Sequence, residues 1–254
     1  MPWSAAIRSG VRTAAEREWG ALARAMRDGA RRNGFPAIPM TLAATLAIVL
    51  FQLWQRTSSG AGIVERLGVV RASLPLGVEL ARTPLSLFVP APDLPVWGAA
   101  AQVLVVFGIA ELSLGRLRTL GIAYASTVAA TMYARQATEM GHGRLFGLPY
   151  AAEFGRDTGP SVAVVALAIC IAWRYRTVVT GLLVGGSMLG EALLVPNLAG
   201  QEHLVAILTA LTLCVGSELL HRQAQRTGAA LHALEGLDDG VESADSLLRP
   251  RVPH

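Results

Sequence analysis

Six apolar segments occupy most of this chain, and each approaches the length that a membrane-crossing helix needs. The hydrocarbon core of a bilayer is about 30 Å thick and an α-helix rises about 1.5 Å per residue. The segments lie at residues 38–55, 94–113, 119–134, 160–174, 178–195 and 203–220. Hydrophobic residues make up 52% of the chain and charged residues only 16%, which is too apolar for an ordinary soluble domain. The sequence therefore predicts an all-α membrane protein with six transmembrane helices.

The distribution of arginine predicts the orientation of these helices. All 22 basic residues are arginines. If the N-terminus is cytoplasmic, 15 of the 22 fall in the inner segments and only 7 in the outer ones. Because cytoplasmic loops carry an excess of positive charge, we expect both termini to be cytoplasmic and the protein to lie in the plasma membrane.

The regions flanking the six segments differ in character. In residues 1–37, apolar side chains recur every three or four positions from Trp3 to Met26 with arginines between them, which predicts a basic amphipathic helix. Such a helix lies either on the anionic inner leaflet or against the cytoplasmic loops. Residues 38–220 form the predicted membrane domain. Residues 221–254 are rich in acidic residues, Gly, Ser and Pro, and we expect a disordered cytoplasmic tail.

The long first outer loop, about residues 56–93, is semi-apolar. A connection of this length is rarely structureless inside a compact domain. We expect it to contain structure of its own and to lie in the outer membrane interface.

The fourth apolar segment is short and begins with a serine, Ser161. At about 1.5 Å per residue, the stretch from Pro160 to Trp173 covers roughly 21 Å, which is less than the bilayer core. Two arginines directly after Trp173 tie that end to the cytoplasmic interface, so the serine end is expected below the outer surface, beside a polar cavity. We expect Asp157 or Thr158 to cap the helix, leaving its first N–H groups around the serine.

A histidine, His203, begins the sixth segment on the same outer side. A serine beside a histidine can act as a nucleophile with its base. The alternative interpretation is a helix-start serine and an interfacial histidine with no catalytic role. Glu191, near the outer end of the fifth segment, is interpreted as the partner of a hydrogen bond within the helix bundle.

Taken together, these motifs resemble those of the rhomboid family of intramembrane serine proteases. In "FGIAELSLGRLRTL", Glu111 and Gly115 match the family's Glu-x-x-x-Gly at the end of the second helix. "GPSV", residues 159–162, stands at the place of Gly-x-Ser-Gly, and "HLVAILTA", residues 203–210, at that of His-x-x-Gly-x-x-x-Gly. "RTPLSLFVPAP" in the first outer loop is similar to the segment before the second helix. The similarity covers residues 38–220 and implies a six-helix rhomboid-like bundle.

The resemblance also implies roles for individual residues. Ser161 would be the nucleophile, His203 the general base and Gly159 part of the oxyanion support, while Glu111 and Gly115 would be structural. The implied activity is cleavage of transmembrane protein substrates in the lipid bilayer. No metal, cofactor or nucleic acid is implied.

Several positions depart from the family pattern. Val96 and Ala100 stand where the family has a histidine and an asparagine that assist the oxyanion, and Val162 replaces the second glycine of the serine motif. Val165 stands where an aromatic residue often packs against the histidine. A second hypothesis is therefore a non-catalytic rhomboid-fold protein that binds transmembrane segments. Proton-coupled transport ranks last, because inverted repeats and a midplane acid–base pair are not evident.

Overall fold

The structure, a computed structural model, describes residues 3–92, 95–141, 147, 155–195 and 197–248, with side chains described between Ser9 and Thr227. Nine helices occur within these ranges. They are α1 (Trp3–Asn33), α2 (Pro39–Gln55), α3 (Ser58–Gly68), α4 (Leu76–Ser86), α5 (Val96–Ser113), α6 (Arg116–Met140), α7 (Ser161–Tyr175), α8 (Val178–Leu194) and α9 (Leu198–Leu248). The described part of the chain contains no strand, so the all-α prediction is confirmed.

Each of the six apolar segments of the sequence coincides with a helix, namely α2 and α5 to α9. By length and composition, α5 and residues Leu198–Thr227 of α9 are able to cross a membrane. Helices α2, α7 and α8 are apolar but shorter. The helical fold and two membrane-length helices are thus established, and the six-span bundle remains a prediction.

Helix α7 is the most deeply buried helix of the described chain. Its buried residues point in every direction around the helix axis, because they occupy nine of its 15 positions. Ala163 and Leu167 join Ile48 of α2, Phe107 of α5 and Ala123 of α6 in one hydrophobic core. The core therefore forms around α7, and this fixes the position of Ser161 at its first residue.

Glu111 lies on α5 and links three helices. It is 1% exposed, and its carboxylate accepts hydrogen bonds from the Met40 N–H at 3.2 Å and from the Thr41 N–H and hydroxyl at 2.8 Å each. Arg116, at the start of α6, donates to it at 3.0 Å. The carboxylate thus supplies acceptors to the first turn of α2, where N–H groups lack partners within the helix. Gly115, between α5 and α6, has φ of +88°, a conformation that favours glycine.

The first outer loop contains two helices, α3 and α4, which confirms the prediction that this loop is structured. Val64, Val69 and Val89 form a small buried core of their own. Glu79 of α4 is buried and accepts from Arg135 of α6 at 3.1 Å. This ion pair attaches the loop to the C-terminal part of α6.

Helix α1 contacts other helices through its polar side chains. Trp19 Nε1 donates to Thr180 Oγ1 at 3.0 Å, and the Thr180 N–H donates to Glu18 Oε1 at 3.0 Å. A Cβ at Gly29 would overlap the Leu112 carbonyl, so the two backbones are in close contact. Helix α1 therefore packs against α5 and α8, a contact that neither sequence interpretation named, and its placement on the inner leaflet stays a prediction.

The C-terminal region differs from the expected disordered tail. A second compact unit covers residues 213–254, and within it α9 continues as a helix to Leu248. The physical reason is the frequency of Ala, Leu, Glu, Gln and Arg, which are strong helix formers, together with the Arg222–Glu218 ion pair at 2.6 Å. Residues 249–254 of the predicted tail lie outside the described residues.

Candidate functional site

The segment before α7 is held by backbone hydrogen bonds to the first outer loop. The Asp157 N–H donates to the Val70 carbonyl at 3.0 Å, and the Gly159 N–H donates to the Ser86 carbonyl at 3.0 Å. Gly159 has φ of +118°, which suits glycine and turns the chain into α7. The irregular backbone before Ser161 is therefore paired with protein, as a polar segment inside an apolar protein requires.

Ser161 lines an open cavity of about 290 Å³ at the start of α7, with both polar and apolar residues in its lining. The opposite wall comes from the beginning of α9, including Asn197, Leu198 and Glu202. Arg156 and Asp157 complete the polar part of the lining. The predicted cavity beside Ser161 is thus present, and the titratable residues among its described lining are two acids and one arginine.

Two carboxyl groups meet at this cavity. The side chains of Asp157 and Glu202 line the same cavity and interact with each other, and Thr131 Oγ1 donates to Asp157 Oδ2 at 3.0 Å. Burial raises the pKa of Asp157 to about 6, and the interactions with Thr131 and Glu202 oppose that shift. Glu202 is 5% exposed, and its Oε1 has no hydrogen-bond partner in the described part of the chain.

The expected side-chain cap of α7 is not formed. No side chain donates or accepts at the cap position, which Pro160 occupies. The Asp157 carboxyl interacts with Thr131 and Glu202 instead, because these partners lie on α6 and α9, which pack beside the segment. Ser161 is partly buried, and its hydroxyl makes no hydrogen bond to any described residue.

His203 lies on α9, one residue after Glu202, and faces α8. Its Nδ1 is 3.0 Å from Glu191 Oε2, so the interpretation of Glu191 as a hydrogen-bonding partner within the helix bundle is confirmed. The His203 side chain is 10% exposed, and Nε2 is buried without a hydrogen-bond partner among the described residues. A carboxylate on one ring nitrogen and no partner on the other is the arrangement of an oriented base.

Ser161 lines the cavity together with the two acids, Asp157 and Glu202, and His203 is not among the lining residues. Within the described residues there is no hydrogen bond between Ser161 and His203. Successive residues of a helix point about 100° apart, so Glu202 and His203 face different neighbours. The Ser161–His203 dyad therefore stays a prediction.

Apolar side chains occupy the positions that depart from the rhomboid pattern. Ala100, Val162 and Val165 are buried, and Val96 packs at the edge of the core. None of these side chains carries a hydrogen-bond donor. Gly159 offers no free N–H either, because it is bonded to Ser86. Donors for an oxyanion at this site must come from the first turn of α7, whose N–H groups have no partner within the helix.

The sequence interpretation missed Glu202 and Thr131. Glu202 stands directly before His203. An acidic residue at the start of a long apolar segment is itself an indication of a functional site. Thr131 carried no signal, because one threonine among the small residues of α6 is indistinguishable from a packing residue.

The fold and site define a class: an all-helical chain with membrane-length helices and a serine-containing cavity. Comparison with protein families, characterised proteins and solved structures found no match.

Proposed function

We propose that this chain is a rhomboid-like integral membrane protein that cleaves transmembrane protein substrates, with Ser161 as nucleophile and His203 as general base. The observation that carries the proposal is the Glu191–His203 pair, which leaves His203 Nε2 buried without a partner among the described residues. A neutral imidazole of this kind has a free acceptor for a serine proton.

The proposed setting is the plasma membrane, with six spanning helices and both termini in the cytoplasm. Exposed leucines recur on α2 at positions 42, 46, 50 and 53, which is the spacing of one helix face. An exposed leucine face on an apolar helix suits contact with lipid. The excess of arginine in the inner segments supports the orientation.

In the proposed reaction, Ser161 Oγ attacks a peptide carbonyl carbon while His203 Nε2 takes the hydroxyl proton. The negative charge that develops on the carbonyl oxygen lies near the start of α7, where helix N–H groups stabilise an anion. The C–N bond then breaks, and the same proton passes to the leaving amine. Water hydrolyses the acyl-enzyme by the reverse sequence of proton transfers.

The second candidate is a rhomboid-fold protein that binds transmembrane segments without cutting them. The observations that favour it are the apolar side chains at Val96 and Ala100 and the occupied N–H of Gly159. Loss of one oxyanion donor typically costs about 10²- to 10³-fold in rate. The two candidates share one architecture and differ in whether Ser161 reacts.

Labelling of the purified full-length protein by a fluorophosphonate probe separates the candidates. We expect covalent labelling of the wild type and none of Ser161→Ala or His203→Ala. Ser187→Ala is the matched control, because the Ser187 hydroxyl is exposed on α8 and bonds only its own helix. Labelling that persists in Ser161→Ala contradicts the proposal. Absence of labelling in the wild type favours the binding protein.

A further inference from the structure

The Asp157–Glu202 pair is a site in its own right. Neither residue has a role in the Ser161–His203 chemistry, yet both line the same cavity as Ser161. Two carboxyl groups beside one cavity present acceptor oxygens to any donor that enters it. The buried Glu202 Oε1 has no donor among the described residues. A buried acceptor without a donor is unfavourable, and an entering donor would satisfy it.

Positive charge near the pair is already engaged elsewhere. Arg156 lines the cavity, but its guanidinium lies 3.7 Å from Glu65 and 3.4 Å from Gln55 Oε1. Arg135 pairs with Glu79 at 3.1 Å and Glu139 at 3.4 Å. Across the described ranges, no arginine or histidine forms an ion pair with Asp157 or Glu202. Among the described residues, the two acidic groups of the cavity therefore form no ion pair.

We infer that the Asp157–Glu202 pair is a subsite for an ammonium or guanidinium group carried by a polypeptide substrate. A cation of this type supplies the donors that Glu202 Oε1 lacks. The cavity volume of about 290 Å³ is at the lower end of ligand pockets, which suits one side chain and not a folded partner. The polypeptide nature of the ligand rests on the proposed function, whereas the cation site does not.

Binding of small model cations to the full-length Ser161→Ala protein tests this inference without any reaction. The probes are N-acetyl-arginine amide and N-acetyl-lysine amide, with N-acetyl-norleucine amide as the neutral control of similar length. We expect saturable binding of the basic probes by equilibrium dialysis and at least 10-fold weaker binding of the norleucine probe. The arginine and lysine arms distinguish a guanidinium from an ammonium site.

Variants then assign the binding to the pair. Glu202→Gln and Asp157→Asn each replace one carboxyl group of the pair by a neutral amide of similar size, and we expect each to weaken arginine-amide binding at least 10-fold. Glu139→Gln is the control, because its side chain is 67% exposed and pairs only with Arg135. Helix content by circular dichroism checks folding. If Glu202→Gln or Asp157→Asn unfolds, the comparison of basic and neutral probes on the Ser161→Ala protein still tests whether the cavity binds a cation.

The outcomes separate this inference from the proposed function. Equal binding of arginine and norleucine amides, or unchanged arginine-amide binding in Glu202→Gln, overturns the cation subsite. A protein that resists the fluorophosphonate yet binds the basic probes keeps the subsite and loses the protease assignment. A protein that is labelled by the fluorophosphonate yet binds basic and neutral probes equally keeps the protease assignment and loses the cation subsite.

Discussion

Helices α7 and α8 are neighbours of similar length and apolar composition, yet they are packed in opposite ways. Nine residues of α7 are buried, whereas no residue of α8 falls in the buried class. Leu167 on α7 is fully buried, and Leu183 on α8 is 68% exposed. An apolar sequence therefore says that a helix avoids water, but not whether protein or lipid covers it. Here the buried helix carries the serine at its start.

The exposed helix α8 is instead fixed by polar contacts at its two ends. At its start, the Thr180 N–H donates to Glu18 of α1. Near its other end, Glu191 contacts His203 of α9. Along its middle, Gly185 and Gly186 have no atom within 4 Å of where a Cβ would lie. Helix α7 is thus enclosed by neighbouring helices on all sides, whereas α8 packs against α7 along one side and makes hydrogen bonds near its two ends.

The largest expected effect comes from truncating the two leucines. Leu167→Ala opens a cavity in the core and is expected to lower the free energy of unfolding by about 2–5 kcal/mol. Leu183→Ala is expected to change it by less than about 0.5 kcal/mol, because the side chain is exposed. Reversible unfolding in mixed micelles measures both. Equal losses would mean that α8 is buried by a partner in the folded protein.

A second expected difference lies at the contact between the two helices. A Cβ at Gly181 would lie 3.2 Å from the Ala172 Cβ of α7, whereas Gly185 has open space. Gly181→Val is therefore expected to cost about 1–3 kcal/mol through overpacking. Gly185→Val carries the same change in helix propensity and serves as the control. The same unfolding assay compares the two valine variants. Equal unfolding midpoints would show that α8 can shift away from α7 without loss of stability.

Much of this fold follows from the sequence, and the site only partly does. The six apolar segments became helices because hydropathy and length are local properties. The cavity beside Ser161 followed from the shortness of α7. The Asp157–Glu202 interaction joins residues far apart in the chain, and no local pattern encodes such a pairing. The expected cap failed for the same reason, since partners on α6 and α9 competed for the Asp157 carboxyl.

The link between the end of α8 and His203 makes a catalytic prediction. Glu191→Gln removes the charge that orients the imidazole, so the rate of fluorophosphonate labelling is expected to fall at least about 10-fold. Glu139→Gln is the control on an exposed carboxylate. Stopped reactions followed by in-gel fluorescence give the rates. If Glu191→Gln reacts at the wild-type rate while His203→Ala is inert, Glu191 only tethers α8.

The smallest expected effect is a pH dependence that originates beside α7 and not in α8. The pKa of Asp157 rises from 3.8 to about 6 on folding, because burial disfavours its charged form. An acid with a raised pKa contributes stability that is fully present below about pH 4 and is lost as the pH rises through about 6.

The partial exposure of Asp157 limits this contribution to on the order of 1 kcal/mol. Asp157→Asn keeps the hydrogen-bonding groups and removes the titration. The unfolding midpoint of the wild type minus that of the variant should therefore decrease between pH 4 and 6 and stay level above pH 6. Subtracting the two profiles cancels the other titrating groups. A difference that is constant over this range would mean that the Asp157 carboxyl is fully hydrated in the folded protein and that burial does not raise its pKa.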